Sequence, residues 1–80
     1  MITLDCIQRR LTELCDERRI AFHALATCAG VHPSTVKSIM NGKSQNPGVV
    51  TLKKLCDGLD ITLTEFFNTD YFRDLEQEIV

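Results

Sequence analysis

The sequence predicts an all-α fold: five helices followed by a short C-terminal extension. Three observations carry this. Apolar residues recur at helical spacing almost throughout, with little strand signal. Gly30 and the loop-forming stretch 43–48 interrupt that spacing at short intervals. The chain has 80 residues, 44% apolar and 25% charged, which suits one ordinary globular domain with a modest core.

The first helix is expected over about residues 4–18, with Leu4, Ile7, Leu11, Leu14 and Cys15 on one face. Arg9, Arg10, Glu13, Asp16 and Glu17 occupy the opposite face, and Thr3 is the expected N-cap. A short second helix runs from about Phe22 to Ala29, turns Leu25 and Ala26 inward, and stops at Gly30. Ala21 caps its start poorly, because alanine offers no side-chain acceptor. Pro33, suited to a first helical position, opens a third helix that continues to Asn41 and ends at Gly42. Its apolar face is Val36, Ile39 and Met40.

A loop follows, marked by Ser44, Asn46, Pro47 and Gly48. The fourth helix carries Leu52, Leu55, Cys56 and Leu59. Thr62 and Glu65 form a capping box that starts a fifth helix bearing Leu63, Phe66 and Phe67. Residues 1–68 therefore read as the domain and residues 69–80 as an extension. The extension holds Tyr71, Phe72, Leu75 and Ile79 at helical spacing, and either packs back on the first helix or serves self-association.

Several function classes find little support. No apolar run approaches the ~18 residues of a membrane span. The start, Met-Ile-Thr-Leu-Asp, lacks a signal peptide's basic region and apolar block, so a cytoplasmic location is expected. Cys6, Cys15, Cys28 and Cys56 include no close pair, and are read as reduced, mostly buried thiols rather than metal ligands or a disulfide. Cys28 and His32 are separated by a turn at Gly30. No nucleophile–base pair, glycine-rich phosphate loop or paired carboxylates suggest an enzyme, and no cofactor is implied.

Two short helices joined by a tight turn suggest a helix-turn-helix. Such a motif needs a small residue where the helices cross, a turn residue tolerant of positive φ, and a buried stripe on the second helix. Ala26, Gly30, Val36 and Ile39 meet those needs in order. The series resembles the Cro and lambda-repressor type of helix-turn-helix, the XRE-like family. Ser34-Thr35-Val36 followed by Ile39 and Asn41-Gly42 is similar to the family's recognition-helix pattern. The run NGKSQNPGVVTLKKLCDGLDITLTEFF resembles its loop and its fourth and fifth helices. The likeness covers about residues 4–67.

It implies a lambda-repressor-like fold and a transcriptional regulator that binds double-stranded DNA through its third helix. Ser34 and Ser38 match base-contacting positions; Asn41, Lys43 and the Gln45 region match phosphate contacts. The chain differs where the family commonly has Thr-Gln, whose glutamine contacts phosphate: it has Ala21-Phe22. His32 replaces the usual Ser or Thr cap, and Pro33 stands where a polar base reader is common.

Charge is unevenly placed. Residues 1–30 balance, residues 31–56 contain Lys37, Lys43, Lys53 and Lys54 with no acid, and residues 57–80 hold seven acids and Arg73, giving −2 in all. The one basic block thus spans the third helix, the loop and the fourth helix, as a phosphate-facing surface requires. Ser34, Lys37, Ser38 and Asn41 fall on the third helix's solvent face, with Thr35 at its edge. Serine and threonine accept many base edges, and lysine favours guanine. His32 is read as a cap and His23 as a surface residue. With so few readers, a homodimer on two half-sites is expected, with the tail's acids turned away from DNA. The alternative is a protein-interaction module on the same fold, binding a toxin or polymerase subunit through the acidic tail.

Overall fold

The computed structural model describes residues 2–79. Six helices run in order: α1 Thr3–Arg18, α2 Phe22–Ala29, α3 Pro33–Met40, α4 Val49–Gly58, α5 Leu63–Phe67 and α6 Asp70–Arg73. Among the described residues there is no strand. The first five helices match the expected series, with ends displaced by at most a residue or so.

One core joins them. Leu11, Leu25, Leu55 and Phe66, from four different helices, are each 0% exposed, and Val36 and Ile39 of α3 are 1% exposed. Burying a side chain of this kind contributes roughly 1.5–3 kcal/mol. Cys6, Cys15 and Cys56 are buried and Cys28 is exposed; all four are free thiols. Burial pushes the Cys15 and Cys56 thiols above their ordinary value, so both behave as small apolar residues rather than nucleophiles.

Helix boundaries follow local chemistry. Thr3 lies inside α1 rather than capping it: the helix begins after Ile2, whose N–H donates to Asp5 Oδ2 at 3.3 Å. The Thr3 N–H and hydroxyl both donate to Glu78 Oε1, at 3.2 and 2.8 Å. α1 ends through Arg19 in the left-handed region at φ 53°, with the Ile20 N–H returning to the Cys15 carbonyl. Ala21 provides no side-chain cap to α2. Gly30 closes that helix at φ 68°, and the Val31 N–H donates to the Ala26 carbonyl at 2.9 Å. Asn41 follows α3 as its cap instead of belonging to it. The Thr62–Glu65 box is present, with the Glu65 N–H donating to Thr62 Oγ1 at 3.0 Å.

α2 and α4 approach closely. A Cβ on Gly58 would lie 3.1 Å from the Ala29 Cβ and backbone nitrogen. Larger residues at either position would push these helices apart.

α1 contributes more than its apolar stripe. Arg10, expected on the solvent face, donates to the Phe66 and Glu65 carbonyls at 2.7 and 2.8 Å. Gln8 Nε2 donates to the Ile39 carbonyl at 2.9 Å, and Arg18 Nε to the Leu59 carbonyl at 3.2 Å. The last carbonyls of a helix have no partner within it. α1 side chains therefore satisfy the C-terminal ends of α3, α4 and α5.

The extension folds back. Its helical part is α6 alone, four residues long, and the segment from Leu75 to Ile79 is not helical. Phe72 stacks edge-on to Phe67 at 4.9 Å and lies 6.0 Å from Phe66. The Tyr71 hydroxyl donates to Glu13, and the Arg9 guanidinium sits 4.3 Å above the Tyr71 ring.

Two predictions follow from these contacts. Gly30→Val should cost about 1–3 kcal/mol of stability, because a β-branched residue is strained at positive φ. Nothing lies within 4 Å of the added Cβ, so the cost is conformational rather than steric. Gly30→Asn should recover much of the loss, since asparagine tolerates this region. Thermal melts of both variants check it; equal melting points for Val and wild type would overturn the turn assignment.

Burial, then the bond to Glu13, pushes the Tyr71 phenol from its ordinary 10.0 up to about 12. The folded state holds that proton more tightly than the unfolded chain, so unfolding releases it between those values. The contribution is complete below pH 10 and disappears as pH rises towards 12. Stability of the wild type should fall more steeply across this window than that of Tyr71→Phe, measured by denaturant titration at each pH.

Candidate nucleic-acid interface

α3 owes its position to supports at both ends. At its start, the Ser34 N–H donates to His32 Nδ1 at 3.1 Å, so His32 is the cap. The Ser34 hydroxyl lies 2.7 Å from the same nitrogen. At its end, Gln8 holds the Ile39 carbonyl. Between them, Val36 and Ile39 are buried.

The remaining surface of α3 is a polar stripe. Ser34, Lys37 and Asn41 are exposed and recur at helical spacing; Thr35 and Ser38 are half-buried. Ser34, Lys37 and Asn41 also line one open trough of about 500 Å³, together with Phe22 and His23 from α2, and Pro33 and Met40. Thr35 and Ser38 are not part of that lining.

The loop after α3 is tied to the helix end. Asn41 Oδ1 accepts the Lys43 N–H at 3.0 Å, Gly42 turns at φ 81°, and the Ser44 N–H reaches the Ser38 carbonyl at 3.0 Å. Gln45 donates to the Gly42 carbonyl. Lys43 and Gln45 are exposed beyond this turn. Gln45 lines a second depression with Ile2, Thr3, Leu4, Asn46 and Glu78. The end of the acidic tail therefore lies beside the loop, where the sequence led us to expect the tail's acids to turn away. Hydrogen bonds from Thr3 hold the Glu78 carboxyl below its usual value.

The basic block is smaller than its four lysines suggest. Lys53 pairs with Asp57 one turn along α4. Among the described residues, Lys37, Lys43 and Lys54 have no acidic partner within salt-bridge distance. Asp57, Asp60 and Glu65 gather with Lys53 around a separate depression where α4 meets α5.

Sequence reasoning missed Phe22 and Met40 as part of this surface. An apolar residue at a position expected to be polar registers only as a departure, and its neighbour across the trough comes from another helix. No helix among the described residues is long and apolar enough to cross a membrane.

Comparison with solved structures finds the crystal structure of the prophage Lp1 protein 11, 29% identical, superposing with a TM-score of 0.81 over 94% of this chain and 100% of that one. Comparison with curated proteins gives no match. A family model for the Cro/C1-type HTH DNA-binding domain matches residues 10–70, which include the whole of α2, the Gly30 turn, α3, the loop, α4 and α5. With three-quarters of its length matched and its two short helices joined at a left-handed glycine, the chain belongs to the Cro/C1-type helix-turn-helix DNA-binding domain family.

Proposed function

We propose that the protein is a sequence-specific transcriptional regulator that reads double-stranded DNA by placing α3 in the major groove. The observation that carries this is the exposed stripe Ser34, Lys37 and Asn41, on a helix pinned at both ends and carrying a lysine with no acidic partner among the described residues. Eight residues make a helix about 12 Å long, comparable to the ~12 Å width of the groove.

Roles follow from what each side chain has left to offer. The Ser34 hydroxyl is exposed and suits either a donor or an acceptor on a base edge. Lys37 suits guanine O6 and N7. Ser38 and, at the edge, Thr35 reach bases from their half-buried positions. Asn41 uses its carbonyl on the loop and keeps its amide N–H groups for phosphate. Lys43 supplies the loop's charge. Gln45 stands at the margin of this set, because Glu78 shares its depression and opposes a phosphate there.

Selection from a random duplex pool tests the reading. The expected result is an enriched consensus whose binding weakens steeply with salt. Loss of Lys43 (Lys43→Ala) should weaken all sequences alike and lower the salt slope by about one. Lys37→Ala should also relax preference at one base position. Unchanged affinity and slope in both variants would favour a protein partner instead of DNA.

The same reading includes a homodimer. One bidentate base contact discriminates by only about 1–3 kcal/mol, too little for a lone α3 to select one site in a genome. Two copies on half-sites a helical turn apart double the readout. Tyr71 and Phe72 are engaged within the domain, which leaves Leu75 and Ile79 as the extension's apolar contribution; Ile79 is 86% exposed. Truncation after Asp74 should leave the fold intact and reduce cooperativity on a two-fold site. Light scattering checks this: an intact chain monomeric both free and on DNA would remove the dimer from the proposal.

A further inference from the structure

We infer that the trough between the start of α2 and the exposed face of α3 receives the 5-methyl group of a thymine, which makes Phe22 a specificity-determining residue. The inference rests on the DNA-reading role of α3 proposed above.

The trough is chemically divided. Half-buried Phe22, Pro33 and Met40 supply apolar surface, while exposed His23, Ser34, Lys37 and Asn41 supply polar groups. The last three are the same stripe that faces DNA in the proposed function. Whatever the stripe meets therefore also covers the trough. A phenyl ring has no hydrogen-bond donor, so Phe22 cannot hold a phosphate, and proline has no backbone N–H to contribute. Among the groups displayed in the major groove, the 5-methyl of thymine is the apolar one. About 500 Å³ leaves room for the methyl-bearing edge of the base pair as well as the methyl itself.

Ser34 strengthens the assignment. It lies on the trough's lining, where its hydroxyl can accept a hydrogen bond, and an A·T pair presents the adenine N6 donor beside the thymine methyl. Position, polarity and apolar surface thus select the same base pair.

The experiment uses the full chain and the duplex that it enriches from a random pool. Each thymine of that duplex is replaced in turn by deoxyuridine, which removes only the methyl. The expected result is a threefold to fivefold loss of affinity (roughly the transfer of one methyl group) at one thymine per half-site. Phe22→Ala should bind the thymine and uracil forms equally, with its salt slope unchanged. Phe22 also packs against the core, so Phe22→Gln serves as a second variant if the alanine form melts early. The inference is overturned if no replacement weakens binding, if the enriched site has no thymine, or if both variants keep the wild-type preference. A pool that yields no enriched sequence removes the regulator reading itself, and this inference with it.

Discussion

The fold depends on α1 acting as a brace for helices that are too short to hold themselves. Isolated helices below about 12–15 residues are marginal in water. α3 has eight residues, α4 ten and α5 five. Each ends in carbonyl groups that its own turns cannot satisfy. Gln8 and Arg10 reach across and bond such carbonyls in α3 and α5, and Arg18 bonds the carbonyl of Leu59, the C-cap of α4. Such a bond contributes only about 0.5–1.5 kcal/mol net, but a buried carbonyl left without a partner costs more. The apolar stripe of α1 supplies attraction without direction. Its polar side chains supply the direction, because each fixes where one helix must end.

That use of arginine also explains how an acidic chain presents a basic face. Arg9 lies over Tyr71, Arg10 and Arg18 bond carbonyls, and Arg73 pairs with Asp70. Lys53 is matched by Asp57. Among the described residues, Lys37, Lys43 and Lys54 have no acidic partner within salt-bridge distance; they lie on α3, the loop and α4, within residues 31–56, which contain no acid. Net charge governs long-range attraction, which salt screens within about 8–10 Å. At contact distance, the local lysines matter more than the total of −2.

Much of the fold was legible because the signals were local. Apolar spacing located α1 to α5, Gly30 located the turn, and Thr62 with Glu65 located the start of α5. His32 was legible as a cap because it precedes Pro33 by one residue. The errors arose where a residue's partner is distant in the chain. Periodicity assigns Arg10 to solvent, since it says nothing of a carbonyl 56 residues later. Thr3 reads as a cap until Glu78 takes its hydroxyl. The tail's spacing suggests one helix, but Phe72 is held by Phe66 and Phe67 while the chain beyond α6 turns towards Thr3. In the interface, the stripe on α3 was readable from one helix alone. The trough was not, because Phe22 and Met40 become neighbours only when α2 and α3 cross.

This division between supports and surface has a consequence for how the site can vary. Everything that positions α3 faces inward or lies at its ends: Val36, Ile39, the His32 cap, the Gly30 turn and the Gln8 bond. Among the described residues, the Lys37 side chain makes no hydrogen bond or ion pair, whereas the Ser34 N–H bonds the His32 cap and Asn41 closes the last turn and holds the loop. On the proposed reading, substitution of exposed Lys37 therefore changes what is read without moving the helix. Ser34 is the partial exception, since its hydroxyl shares the His32 nitrogen with its own N–H. A change there alters both the exposed hydroxyl and the contact at the cap. Phe22 is a second exception of a different kind, because one face packs on the core and the other lines the trough. On the proposed reading, specificity is adjustable at Lys37 and coupled to stability where α2 begins.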